Sequence, residues 1–168
     1  MSEIIRVLGI DPGSLKTGVG IIDVKGNRIR HIHHHVIHCG SGEFADRLGI
    51  LFKELSQIIL EYQPSNAAIE DVFVSKNASS ALKLGQARGA LIAACCHANL
   101  EVGSYSPTTI KQAVVGHGRA EKEQVQHMIK ALLKPPLHLP EDAADALAVC
   151  ICHAHHAPLQ PRIRKTKT

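Results

Sequence analysis

Tryptophan is absent from the sequence, and only three phenylalanines and two tyrosines are present. So few aromatic rings exclude a broad base-stacking platform of the kind that single-strand binders use. No apolar run reaches the ~18 residues that a membrane span needs, and no signal-peptide pattern opens the chain, so no membrane segment is expected. No internal repeat is visible. CxxC pairs are missing too: Cys39, Cys95, Cys96, Cys150 and Cys152 have neither zinc-site nor disulfide-framework spacing. They predict inert thiols in a reducing, cytoplasmic setting.

What is present fits one domain with a proper core. The chain has 168 residues, of which 45% are hydrophobic, enough for a globular fold and too many for a disordered one. The formal net charge of +4 is mildly basic and hints at a polyanionic partner. A domain over residues 1–157 is expected, followed by a basic, disordered tail over 158–168 that carries Arg162–Lys167.

The chain is organised around Arg6–Asp23, RVLGIDPGSLKTGVGIID. A short apolar run, Val7–Ile10, ends in a carboxylate, Asp11. Pro12, Gly13 and Ser14 make a turn, and Thr17–Ile22 returns beside the first run. Gly13, Gly18 and Gly20 carry little bulk, so a ligand backbone could approach closely. An acid at the tip of a buried strand beside open glycine backbone suits a metal and a phosphate. The same pattern also describes a hairpin whose Asp merely caps its turn.

Further along, Arg28–His38 reads as a third strand. Strict alternation puts His31, His33 and His35 on one face and His34 on the other; with no carboxylate or cysteine grouped with them, they read as a solvent-facing surface. Phe44–Gln63 is an amphipathic helix stopped by Pro64. Ala67–Val72 is a short strand that contains Glu70, and a carboxylate there is costly unless it is paired, metal-bound or out in solvent. Ser79–Leu100 is a second long helix. Its line of Gly85, Gly89 and Ala93 weakens it by ~1 kcal/mol per glycine and predicts close approach of another helix, from a second copy of the chain or by tight packing on the sheet. Glu101–Ser106 is a fifth strand. Thr108–Val115, Glu121–Lys134 and Glu141–His156 complete the helices. The expected class is α/β, five strands flanked by helices.

The last helix begins EDAADALA. Asp142 and Asp145 are three apart and share one helix face; alone, they read as first-turn acids that favour the helix dipole. Joined to Asp11 and Glu70, they make a set of four carboxylates able to meet at one point. Such a set repels itself unless a counter-charge is present, and all-oxygen donors select Mg²⁺, or Mn²⁺, over Zn²⁺. Two such ions about 3.5–4 Å apart activate a water for in-line attack and stabilise a leaving 3′-oxygen. The predicted reaction is phosphodiester hydrolysis without a covalent intermediate.

GIDPGS, AIEDVF with KNASSALKLGQARGA, KQAVVGHGRAEKEQVQHM, and EDAADALA resemble, in order and over nearly the whole chain, the motifs of the bacterial RuvC family, the Holliday-junction resolvases. The resemblance implies a ribonuclease H-like fold with a mixed five-stranded sheet. It implies a catalytic, metal-holding quartet at Asp11, Glu70, Asp142 and Asp145; some members carry His at the position of Asp142. It implies two Mg²⁺ ions per subunit, a homodimer, and paired symmetric nicks across four-way junction DNA in recombination and repair, with RuvA and RuvB as partners. It also carries DNA contacts over to this chain. Phe73 would meet a base near the junction centre, an alternative to closing the core, and Lys111 and Lys122 would touch phosphates near the cut. Lys76 and Lys83 lie in the basic segment after Glu70 and join the DNA-contact set. Three rivals use the same features. A ribonuclease H-like RNA-processing nuclease would use the same acids. A phosphotransferase of the sugar-kinase and actin class would need a longer chain, and a non-catalytic junction binder would not need the acidic set.

Overall fold

In the computed structural model, residues 3–73, 76–136 and 138–159 are described. The expected tail therefore lies outside the described residues from position 160 onward, as does Ser75 in the loop after Glu70.

Among these residues, five strands form one mixed sheet: β1 (Ile5–Asp11), β2 (Lys16–Lys25), β3 (Arg28–His38), β4 (Asn66–Glu70) and β5 (Val102–Tyr105). Their order is β3-β2-β1-β4-β5. Two tight connections make β1–β2 and β2–β3 antiparallel, whereas β4 and β5 return through helices and join in parallel. Among the described residues, five helices cover the two faces: α1 (Phe44–Tyr62), α2 (Ala78–His97), α3 (Pro107–Val115), α4 (Lys122–Leu133) and α5 (Glu141–His156). The ends follow local chemistry. Gln63 takes a left-handed conformation that stops α1 just before Pro64, Asn77 caps α2 by accepting from the Ser79 and Ser80 amides, and Pro107 opens α3 behind the Ser106 cap.

Each face of the sheet carries its own core. On one side Leu8, Ile10, Val19 and Ile21 pack against Leu51, Leu55 and Ile59 of α1 and Ala87, Leu91 and Ala94 of α2. On the other, Val7, Ile22 and Ala68 pack against α5, which α3 and α4 cover from outside through Ile110, Val125 and Ile129. Helix α5 is thus enclosed, and its run Ala146–His153 is buried without a break. None of the helices among the described residues is long and apolar enough to cross a membrane.

Two expectations need correction. A β-bulge shifts the β2–β3 register, so that Ile21 pairs with His33 and Ile22 with His31, leaving Ile32 extra. Alternation breaks there, and His31 meets His34 (Nε2 to Nδ1, 2.9 Å) while His33 stacks with His35 and meets the Tyr62 hydroxyl (3.0 Å). Tight packing on the sheet does not explain the α2 glycines: a Cβ at Gly85 or Gly89 would meet nothing within 4 Å among the described residues.

Candidate active site

Asp11 is the last residue of β1, paired with Gly18 across the hairpin. The turn after it is held by Thr17, which is fully buried; its hydroxyl donates to the Gly13 carbonyl (3.1 Å) and accepts from the Gly13 amide (3.2 Å). Glu70 ends β4, one residue beyond the last β1–β4 pair, Ile10 with Ile69. The two carboxyls stand at the same end of the sheet, close enough for Glu70 to act on the ionisation of Asp11.

Helix α5 brings the other two acids, and the hairpin glycines are what admit it. A Cβ on Gly9 would strike the Ala146 carbonyl and come within 2.6 Å of the Cys150 sulfur. One on Gly18 would fall on the Asp142 carbonyl, and one on Gly20 would press on Leu147 at 2.8 Å. Gly9 and Gly20 face each other across the hairpin, so the glycines form a trough in which α5 lies at backbone distance. The sequence reading gave the room at Gly18 and Gly20 to a ligand; α5 fills it. At Gly13 the near atom is the Lys16 carbonyl, so that glycine serves the turn itself. Asp142 and Asp145 cap nothing: Pro140 occupies the cap position and no side chain bonds there.

The electrostatics show that the acids share one field. The Asp11 carboxyl is held well above the ordinary carboxylate range, first by burial, then by its hydrogen bond to Glu70 and the charges of Glu70, Asp145 and Asp142. Burial also pushes Asp145 up to about 6; the nearby Lys122 ammonium opposes this, and Glu70 and Asp142 add to it. Lys122 pairs with Glu141 and lies 3.7 Å from Asp145. Glu141 is a participant that the sequence reading did not single out, although it directly precedes Asp142. Glu70, Asp145, Lys111 and Lys122 line one cleft of about 260 Å³ with Pro107, Ile110, Val125 and Ala148.

No group of three or more His, Cys, Asp or Glu side chains among the described residues is arranged to hold a metal as it stands. The donor set nonetheless fits a hard divalent cation. All four donors are carboxylate oxygens, and the raised Asp11 pKa marks a surplus of negative charge that a cation relieves. Mg²⁺ suits such a site, because it keeps several waters and uses one or two carboxylates plus substrate phosphates rather than an all-protein cage.

The proposed DNA contacts divide into two groups. Lys111 and Lys122 share the cleft with Glu70 and Asp145, whereas Asp11 and Asp142 are not among its lining residues. Lys76 and Lys83 are exposed and outside that cleft. Phe73 is 66% exposed, so it does not close the core.

A family profile described as "Crossover junction endodeoxyribonuclease RuvC" matches residues 7–153. A crossover junction endodeoxyribonuclease RuvC from Geobacter sp. (strain M21) is 55% identical over 159 residues, 94% of this chain and 97% of that protein. One from Alkalilimnicola ehrlichii is 49% identical over 160 residues, 95% of this chain and 97% of that protein. Among solved structures, T. thermophilus RuvC in complex with Holliday junction substrate superposes with a TM-score of 0.83 at 34% identity, covering 89% of this chain and 93% of that one.

Proposed function

The chain belongs to the RuvC family of crossover junction endodeoxyribonucleases, and on that premise we propose that it resolves four-way DNA junctions at a divalent-metal centre held by Asp11, Glu70, Asp142 and Asp145. The observation that carries this reading is the mutual perturbation of the acids. Burial and three neighbouring carboxylates hold Asp11 above its ordinary range, and two of those neighbours, Glu70 and Asp142, also act on Asp145. Scaffold acids are not normally gathered at such electrostatic cost.

Each residue then has a task. Asp11 and Glu70, fixed at adjacent strand ends, and Asp142 and Asp145, on one face of α5, hold two Mg²⁺ ions per subunit; Mn²⁺ has the same ligand preference. Such ions supply activation of a water and stabilisation of the leaving 3′-oxygen. Lys122 balances the charge of Asp145 and Glu141 before substrate arrives. Lys111 and Lys122 then receive the phosphates beside the scissile bond, while Lys76 and Lys83 follow the backbone farther out. Phe73, exposed next to that basic segment, stacks on an unpaired base whatever its identity.

Two like nicks require two such sites related by symmetry, so the working unit is a homodimer. The outer face of α2 supports this: Leu82 is 69% exposed there, and Gly85 and Gly89 stand open beside it. The enzyme works in the cytoplasm with RuvA and RuvB, in recombination and repair. A side-by-side cleavage assay on a synthetic four-way DNA junction and on structured RNA, with and without Mg²⁺, tests the reading. Metal-dependent paired nicks in the junction alone are expected. Preferential cutting of the RNA would favour the RNA-processing alternative.

A further inference from the structure

We propose that Arg88 is a positioning residue that holds Glu70 in place through the backbone; this rests on the reading of Glu70 as a metal-holding carboxylate. Glu70 lies at a strand end that the sheet only half supports. The β1–β4 ladder stops at Ile69, and on the far side Glu70 pairs with Tyr105 of β5, whose carbonyl accepts from the Asp71 amide at 2.8 Å. Asp71, Val72 and Phe73 lie outside any strand or helix. A strand end held from one side frays unless something else holds it.

Arg88 supplies the missing support from α2. Its Nε donates to the Glu70 carbonyl at 3.2 Å, and its Nη2 donates to Asp71 Oδ1 at 3.0 Å and to Ser104 Oγ at 2.7 Å. One rigid planar group thus joins Glu70, the residue after it and the neighbouring strand. A lysine presents a point charge without that fork and cannot reproduce all three bonds. Its surroundings set Arg88 apart from the other cations of its segment. Lys76 and Lys83 are exposed, whereas only 21% of the Arg88 side chain is, and Arg88 is absent from the cleft that Lys111 and Lys122 line. Its work is to fix the backbone from which the Glu70 carboxylate projects, so it acts without touching substrate.

Arg88→Lys and the milder Ser104→Ala are compared with the wild type in three assays. These are Mn²⁺ binding to the protein alone, junction binding in Ca²⁺ across a salt series, and single-turnover junction cleavage in Mg²⁺. Outer supports of metal ligands are worth about 10–100-fold in affinity or rate. Arg88→Lys is expected to lose about that much in cleavage and at least about 10-fold in Mn²⁺ affinity, with junction affinity and its salt slope unchanged. Ser104→Ala should lose less, in the same direction. A weaker junction complex with a salt slope reduced by about one would make Arg88 a phosphate contact and overturn the proposal. A lowered melting temperature with wild-type Mn²⁺ affinity and cleavage per folded molecule would overturn it in favour of a purely structural role. Glu70→Gln, run alongside, separates the two levels. If it leaves Mn²⁺ binding and cleavage intact, the reading of Glu70 fails and this proposal with it. If it abolishes both while Arg88→Lys affects neither, only the Arg88 proposal falls. In the double variant Arg88→Lys should add no further loss of Mn²⁺ affinity; an additive loss would show that Arg88 does not act through Glu70.

Discussion

Asp11 and Asp23 sit at opposite ends of the β1–β2 hairpin, and their surroundings treat the same carboxyl group in opposite ways. Asp23 pairs in register with Arg6, whose guanidinium donates to both of its oxygens at 2.7 and 3.0 Å and also reaches the Tyr62 carbonyl. Burial alone would raise the Asp23 pKa, but Arg6 and then Arg30 outweigh it and hold it below the ordinary value. Among the described residues, the charged groups that act on Asp11 are the acids Glu70, Asp145 and Asp142. One carboxylate therefore comes with its counter-charge built in and the other waits for one. Because the folded-state pKa of Asp23 is depressed, its contribution is fully present above the ordinary carboxylate range and is lost as the pH falls through the folded value. Asp23→Asn is expected to cost about 2–3 kcal/mol near neutral pH. In urea titrations that deficit should shrink steadily as the pH is lowered towards about 3; a pH-independent deficit would contradict the pairing.

At the scale of elements, the site depends on how closely α5 lies on the hairpin. Much of this was legible from residue pattern. The bounds of α5 and β3 match their expected ranges, Glu141–His156 and Arg28–His38, because prolines flank α5 and a turn opens β3. The occupant of the glycine trough was not legible. Small residues on two paired strands announce a close approach without saying what approaches, and the answer lies more than a hundred residues downstream. The bulge at Ile32 was also hidden, since alternation in sequence assumes an unbroken ladder and a bulge is a property of the pair. The four acids could be picked out as a set because buried or grouped carboxylates are expensive. Glu141 escaped because an acid at a helix start is ordinary in sequence, and Arg88 read only as one cation of the basic segment after Glu70, since the backbone it reaches is set by the fold. Two glycine substitutions test the packing account. Gly18→Ala should drive α5 off the hairpin and destabilise the fold by about 1–3 kcal/mol, with cleavage reduced even where the protein is folded. Gly49→Ala, in the middle of α1 with nothing within 4 Å, should be neutral or stabilising by up to about 1 kcal/mol. Equal effects in denaturant titrations would refute the distinction.

At the scale of the whole molecule, the fold separates three jobs. One end of the sheet gathers acid. The segment after β4 and the cleft beside α3 and α4 carry the lysines proposed to meet phosphate, which suits a chain whose net charge is only +4. The outer face of α2, with Leu82, Gly85 and Gly89 exposed, faces away from both cores and is the face proposed to meet a second copy. Gly89→Leu is expected to shift sedimentation towards the monomer at micromolar concentration; dimers of unchanged strength would move the interface elsewhere. Underlying all of this is the claim that Asp11, Glu70, Asp142 and Asp145 are one metal-holding unit. Its most direct test is to replace each singly, by Asn for the aspartates and Gln for Glu70, and to follow both cleavage and binding of a synthetic mobile junction. The account predicts that every variant loses cleavage in Mg²⁺ by about 100-fold or more, some 3 kcal/mol in the barrier, while junction binding is kept or tightened as repulsion with the phosphates falls. A variant at any one of the four positions that resolves the junction at the wild-type rate would contradict it.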